Sequence, residues 1–176
     1  TSTTIVQLGN EIPLKVQILD SEGSVFRVDQ YKYVRVDITL DSNGASIRRD
    51  KTEKSQFYVR GVSVGTVRIS ATLITHNGNT VASDPKPIHV FEPLEVVQRS
   101  LVLLPGAKFQ LTYKGGPPTR DVEWDVDHED IASINKVNGV VSATKVGHTT
   151  AYVTMTTYEP ITGQALEIGK AAVKIT

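Results

Sequence analysis

The chain has no cysteine, which excludes disulfide frameworks, thiolate metal sites and cysteine nucleophiles. The compartment stays open, because many lumenal and surface domains rest on core packing alone. Charge of one sign is missing too: 19 Lys and Arg balance 19 Asp and Glu. Without a basic surplus a chain cannot displace phosphate counterions, so nucleic-acid binding is disfavoured. Anionic membrane surfaces are disfavoured for the same reason. No run approaches the roughly 20 apolar residues that a membrane-spanning helix needs. The opening stretch, TSTTIVQLGNE, lacks the regions of a signal peptide. Its polar ends beside strand-like segments suit a piece of a longer chain. No Asn-x-Ser/Thr acceptor occurs, so the segment offers no N-glycosylation site.

What is present is strand pattern. The chain is 176 residues long, 39% hydrophobic and 22% charged, ordinary values for a folded protein. Apolar residues alternate in short runs between turn residues, and helical periodicity is nearly absent. Leu14, Val16 and Ile18 share one face; so do Val34, Val36, Ile38 and Leu40, and again Val67, Ile69, Ala71 and Leu73. Asn77-Gly78 signals a hairpin. Pro85, Pro87 and Pro93 crowd SDPKPIHVFEPLE, where a last strand, Ile88 to Phe91, closes a first domain. Pro93 marks the boundary, giving domains 1–92 and 93–176 joined by a short, stiff linker.

The pattern then restarts. SLVLLPGAKFQLTY predicts a strand, a Pro-Gly turn, and a strand facing inward through Phe109, Leu111 and Tyr113. KGGPPT and YEPITGQ read as turns. In DVEWDVDHE, Val122, Trp124 and Val126 alternate with Glu123, Asp125 and Asp127. Residues 57–73 parallel residues 139–155, each a strand, a Val-Gly pair and an alternating strand, which aligns Gly65 with Gly147. About seven short strands per half predict an all-β chain of two tandem immunoglobulin-like β-sandwich domains.

Candidate chemistry is thin. Asp121, Glu123, Asp125, Asp127, Glu129 and Asp130 form the densest polar group, and calcium takes six to eight oxygen ligands. The weak candidate ligands are Asp125, Asp127, Glu129 and Asp130. The first four acids instead fan along one strand face, which favours a solvated surface over a metal site. The four histidines, His76, His89, His128 and His148, share no ligand spacing. Gly61, Ser63 and Gly65 spell G-x-S-x-G, but the nucleophile elbow needs a helix to follow, and here a strand follows. Arg48, Arg49, Lys51 and Lys54 are interrupted by Asp50 and Glu53, as in a solvated loop. Trp124, the sole tryptophan, reads as a core anchor; an exposed sugar-stacking platform is the alternative. No catalytic residue, cofactor or small-molecule substrate is expected.

VEWDVDHEDIASINKVNGVVSATKVGHTTAYVT resembles the group 2 bacterial immunoglobulin-like (BIG2) domain, through Trp124, Ala132, Ile134, Gly139, Val140, Ala143 and Gly147. The first half carries that pattern only in GVSVGTVRISA. VLLPGAKFQLTYKGGPP is further similar to the lumenal repeats of the large nuclear pore membrane glycoproteins. That resemblance implies a scaffold in the nuclear envelope lumen, self-associating into a ring at the pore membrane, with neighbouring domains or further copies as partners. A bacterial surface adhesin or invasin stalk, or an accessory carbohydrate-binding module, are the alternatives. The residues expected to hold the fold are Trp124, Gly139, Gly147, Gly65 and Pro93.

Overall fold

The structure is a computed structural model that describes residues 4–117, 121–158 and 165–176. The chain divides into two compact units between Phe91 and Glu92. In the first unit the strands are β1 (Thr4–Gln7), β2 (Glu11–Lys15), β3 (Val34–Leu40), β4 (Ala45–Arg49), β5 (Gln56–Gly61), β6 (Gly65–Thr75), β7 (Thr80–Ala82) and β8 (Lys86–Phe91). One sheet runs β1-β8-β6-β3 with β7 on β6, and the other β2-β5-β4. The second unit has β9 (Glu95–Val96), β10 (Ser100–Leu101), β11 (Lys108–Gln110), β12 (Tyr113–Lys114), β13 (Asp121–Val126), β14 (Ala132–Ile134), β15 (Val140–Ala143), β16 (Thr149–Tyr158) and β17 (Ala165–Ile175). Its sheets run β10-β17-β16-β13 and β11-β15-β14, with β12 paired to β9. Among the described residues both units therefore repeat one topology. In each, a first strand pairs in parallel with the last: β1 with β8, and β10 with β17.

The alternation seen in the sequence places the cores. Val6, Val59, Val67, Ile69, Ile88 and Val90 are buried together in the first unit. Leu111, Trp124, Val141, Ala151, Val153, Met155, Val173 and Ile175 are buried together in the second. In β13 and β16 the paired residues Trp124 and Val153, and Val126 and Ala151, all point inward. Asn77-Gly78 makes the expected turn between β6 and β7; the Gly78 N–H donates to the Thr75 carbonyl (3.0 Å). Pro13 lies on the edge strand β2. Pro87 opposes Arg68 of β6, one residue before β1 begins its pairing on the other side of β8. Both prolines thus sit where no donor is required.

Two features depart from the sequence expectation. Phe109 is 36% exposed instead of facing inward. It pairs with the fully buried Val141, but β11 is the edge of its sheet, so the rim of the sandwich leaves the ring part open. A 3-10 turn, Val28–Tyr33, also precedes β3 in a chain with little helical pattern. Its Tyr31 is buried, and the hydroxyl donates to the Val16 carbonyl (3.2 Å) and accepts from the Ile18 N–H (3.4 Å). The YEPITGQ turn lies almost wholly outside the described residues.

The first unit carries an acid-sensitive sheet. Asp50 caps the β4–β5 turn: its Oδ1 accepts from the Glu53 N–H (2.9 Å), the Thr52 N–H (2.8 Å) and the Thr52 hydroxyl (2.8 Å). Those bonds hold its carboxyl far below the usual carboxylate range, the Glu53 N–H contributing most. Glu11 is lowered by its hydrogen bond from Arg48, and Glu53 by Lys15 and then Ser55. Groups depressed in the folded state stabilise it above their unfolded pKa, about 4, and that stability drains as pH falls through the folded value. The first unit is therefore expected to melt at progressively lower temperature from about pH 5 to about pH 2. Asp50→Asn should flatten that slope in circular dichroism melts; an unchanged slope would contradict the cap.

Candidate interaction site

The acidic residues do not converge. Asp121, Glu123 and Asp125 lie along β13, and their partners across the ladder are Thr156, Thr154 and Tyr152 of β16. Asp125 Oδ1 accepts from the Val126 N–H (2.9 Å), which turns it back on its own strand. Glu123 pairs with Lys136 (3.7 Å) and Asp130 with Lys145 (3.7 Å), both exposed and worth little. Among the described residues no group of three or more His, Asp or Glu is placed to hold a metal. Asp125, Asp127, Glu129 and Asp130 thus share a neighbourhood but not a coordination sphere. Beside them, the Tyr152 hydroxyl is raised above its ordinary pKa by partial burial, then by Asp127 and Asp125.

The histidines are likewise separate. Nδ1 of His89 meets the Thr66 hydroxyl (2.8 Å), and Nδ1 of His148 meets that of Thr176 (3.1 Å). The two arginines of the basic stretch are engaged within the first unit, Arg48 on its own sheet and Arg49 on the facing one. Arg48 pairs with Glu11 (2.6 Å) and lies over the Tyr58 ring (4.1 Å). Arg49 pairs with Asp37 (3.1 Å) and donates to the Val36 carbonyl. Gly61, Ser63 and Gly65 join β5 to β6, strand to strand, so the elbow string carries no nucleophile.

Trp124 is 2% exposed, packed against Tyr113 at 6.2 Å between ring centroids. A stacking platform needs an open face, so the carbohydrate reading loses its anchor. One face of the indole is covered by Gly139, whose φ is +70°, and a Cβ there would lie 2.7 Å from Cε2 and Nε1. The sequence shows Asn138-Gly139 as a turn; only the fold shows what the glycine rests on. The neighbouring chain is pinned by the Trp124 N–H to the Lys136 carbonyl (2.8 Å) and the Leu111 N–H to the Gly139 carbonyl (3.0 Å). The aligned Gly65 and Gly147 occupy equivalent connections but differ in cause. Gly65 has φ +143° and open space around it, whereas Gly147 sits against Ile131, 2.9 Å from a built Cβ.

Gly115-Gly116-Pro117, a plain turn in the sequence, has a further role in the fold. This turn closes over the first residues of the second unit: the Gly116 N–H donates to the Glu92 carbonyl (2.8 Å), and Gly115 lies directly on the Pro93 carbonyl. Gly116 abuts the Met155 sulfur, and Pro117 is fully buried. Two adjacent glycines were the available signal, since close backbone approach is a reason to have them.

Comparison with known proteins agrees with this geometry. Residues 90–159 match the bacterial Ig-like domain (group 2) family. A 282-residue C-terminal fragment of intimin, solved with the intimin-binding domain of the translocated intimin receptor, aligns over 99% of this chain and 61% of its own. The TM-score is 0.68 at 16% identity. Three N-terminal domains of the highly immunogenic outer capsid protein of bacteriophage RB49 align over 99% of this chain and 66% of theirs, with TM-score 0.56 at 8% identity. This chain thus spans less than two thirds of either. At such identities the likeness is one of fold. The chain is all-β and immunoglobulin-like, with its match to the group 2 bacterial Ig-like family confined to residues 90–159.

Proposed function

We propose that this chain is a non-catalytic structural segment of a longer array of Ig-like domains, in the manner of a surface adhesin or invasin stalk. The carrying observation is the repetition of one sandwich topology in two successive units. Likeness in fold to the tandem domains of intimin over 99% of the chain supports the stalk setting. Such a segment sets distance and presents protein-binding surface, and its partners are other protein domains.

A second setting, the lumenal scaffold of a nuclear pore membrane glycoprotein, rests on the sequence resemblance of residues 102–118 alone. The full-length chain decides between the settings. An outer-membrane or cell-wall anchor supports the stalk, and a single C-terminal membrane span with a short cytoplasmic tail supports the pore. The shared non-catalytic reading predicts no melting shift with calcium at about 1 mM, and none with glycans. A shift of several degrees with either would replace it with a ligand-binding module.

A further inference from the structure

We propose that the outer face of the β10-β17-β16-β13 sheet pairs two copies of this chain face to face, about a dyad running along β16. This deepens the structural reading above by naming a partner for that role, and it rests on that reading.

Residues directly opposite on antiparallel strands share a face. Glu123, Thr154 and Lys170 are opposite one another across β13, β16 and β17 and so form one row. Asp127, Thr150 and Lys174 form another: the Asp127 N–H donates to the Thr150 carbonyl (3.0 Å), and Thr150 pairs with Lys174. Up to the bulge after Met155 the face therefore carries Glu123, Asp125 and Asp127 in one column and Lys170, Ala172 and Lys174 in another, with Thr150, Tyr152 and Thr154 between them; beyond the bulge the second column turns acidic at Glu167. Acid and lysine columns two strands apart are separated by roughly 10 Å, a full Debye length, so within one copy they hardly neutralise each other.

A dyad along β16 exchanges the two columns and leaves height along the strands unchanged. Glu123 of one copy then opposes Lys170 of the other, and Asp127 opposes Lys174. Tyr152 meets its own counterpart at the centre, where aromatic anchors carry most of an interface. The Lys170 ammonium lies over that ring, 4.2 Å from its centroid. Glu123 gives up only a loose, exposed pair with Lys136. The equivalent face of the first unit lacks this segregation, because Arg35 and Asp37 neutralise one another on β3 (2.9 Å).

Sedimentation equilibrium of the whole chain, from about 10 µM to about 1 mM, tests the pairing. A dimer is expected at about 50 mM salt, weakening about tenfold at about 500 mM as the charges are screened. Glu123→Lys and Lys170→Glu should each be monomeric, since each sets like charges opposite. An equimolar mixture of the two variants should dimerise again, because both cross-contacts are then of opposite sign. An unshifted Trp124 emission shows that each variant is folded. A chain monomeric throughout, or single variants that associate like the parent, would overturn the face. Neither result touches the non-catalytic reading, which is decided by flanking domains and ligand titrations.

Discussion

Gly139→Val is expected to cost the second unit about 4–5 kcal/mol, a large part of the 5–15 kcal/mol that holds a typical domain together. Two penalties add. A side chain at φ +70° costs about 1–2 kcal/mol, and more when it is branched at Cβ. The new Cβ also falls 2.7 Å from two atoms of a fully buried indole, which must move. Displacing Trp124 forfeits packing whose complete loss, in Trp124→Ala, costs about 3–5 kcal/mol. Because Trp124 is the sole tryptophan, its emission reports the second unit directly. The variant should give a red-shifted spectrum or a much lower denaturant midpoint. Gly106→Val is the control in the same unit: its φ is +86° with nothing within 4 Å, so strain alone applies. Equal losses at Gly139 and Gly106 would mean that the indole does not rest on the glycine.

That contrast shows where sequence and fold part company. Period-two alternation around Trp124 and Val126 is local, and it placed both residues in the core with Val153 and Ala151 opposite. The repeat was legible for the same reason, since Gly65 and Gly147 follow equivalent strands. Phe109 shows the limit of alternation. Alternation gives the face of a strand but not its rank in the sheet, and rank decides whether an inward ring is covered. The Tyr31 turn was illegible because its hydroxyl is satisfied by Val16 and Ile18, residues brought close only by folding. For the candidate surface, the sequence shows the acids of β13 as one solvated face. It does not show Lys170 and Lys174 two strands away on the same face, because that needs the register through β16.

Gly115→Ala should be nearly as damaging as Gly139→Val, for a different reason. A Cβ at Gly115 would overlap the Pro93 carbonyl, with the Glu92 oxygen 3.0 Å away. These are backbone atoms, so no rotamer change relieves the clash and the strand entering the second unit must shift. That strand delivers Leu94 to the core beside Met155, and the Gly116 bond to Glu92 would be lost with the displacement. Strain at φ +77°, a lost backbone hydrogen bond and a displaced leucine together give about 3–5 kcal/mol. Gly106→Ala has similar strain, φ +86°, and open space, so about 1–2 kcal/mol is expected there. Denaturant titrations followed by Trp124 emission should separate the two variants by about 1–4 kcal/mol. If they lose the same amount, the glycine pair is only a turn. If Gly115→Ala is the worse, the turn is the clasp that holds the first strand of the second unit in place.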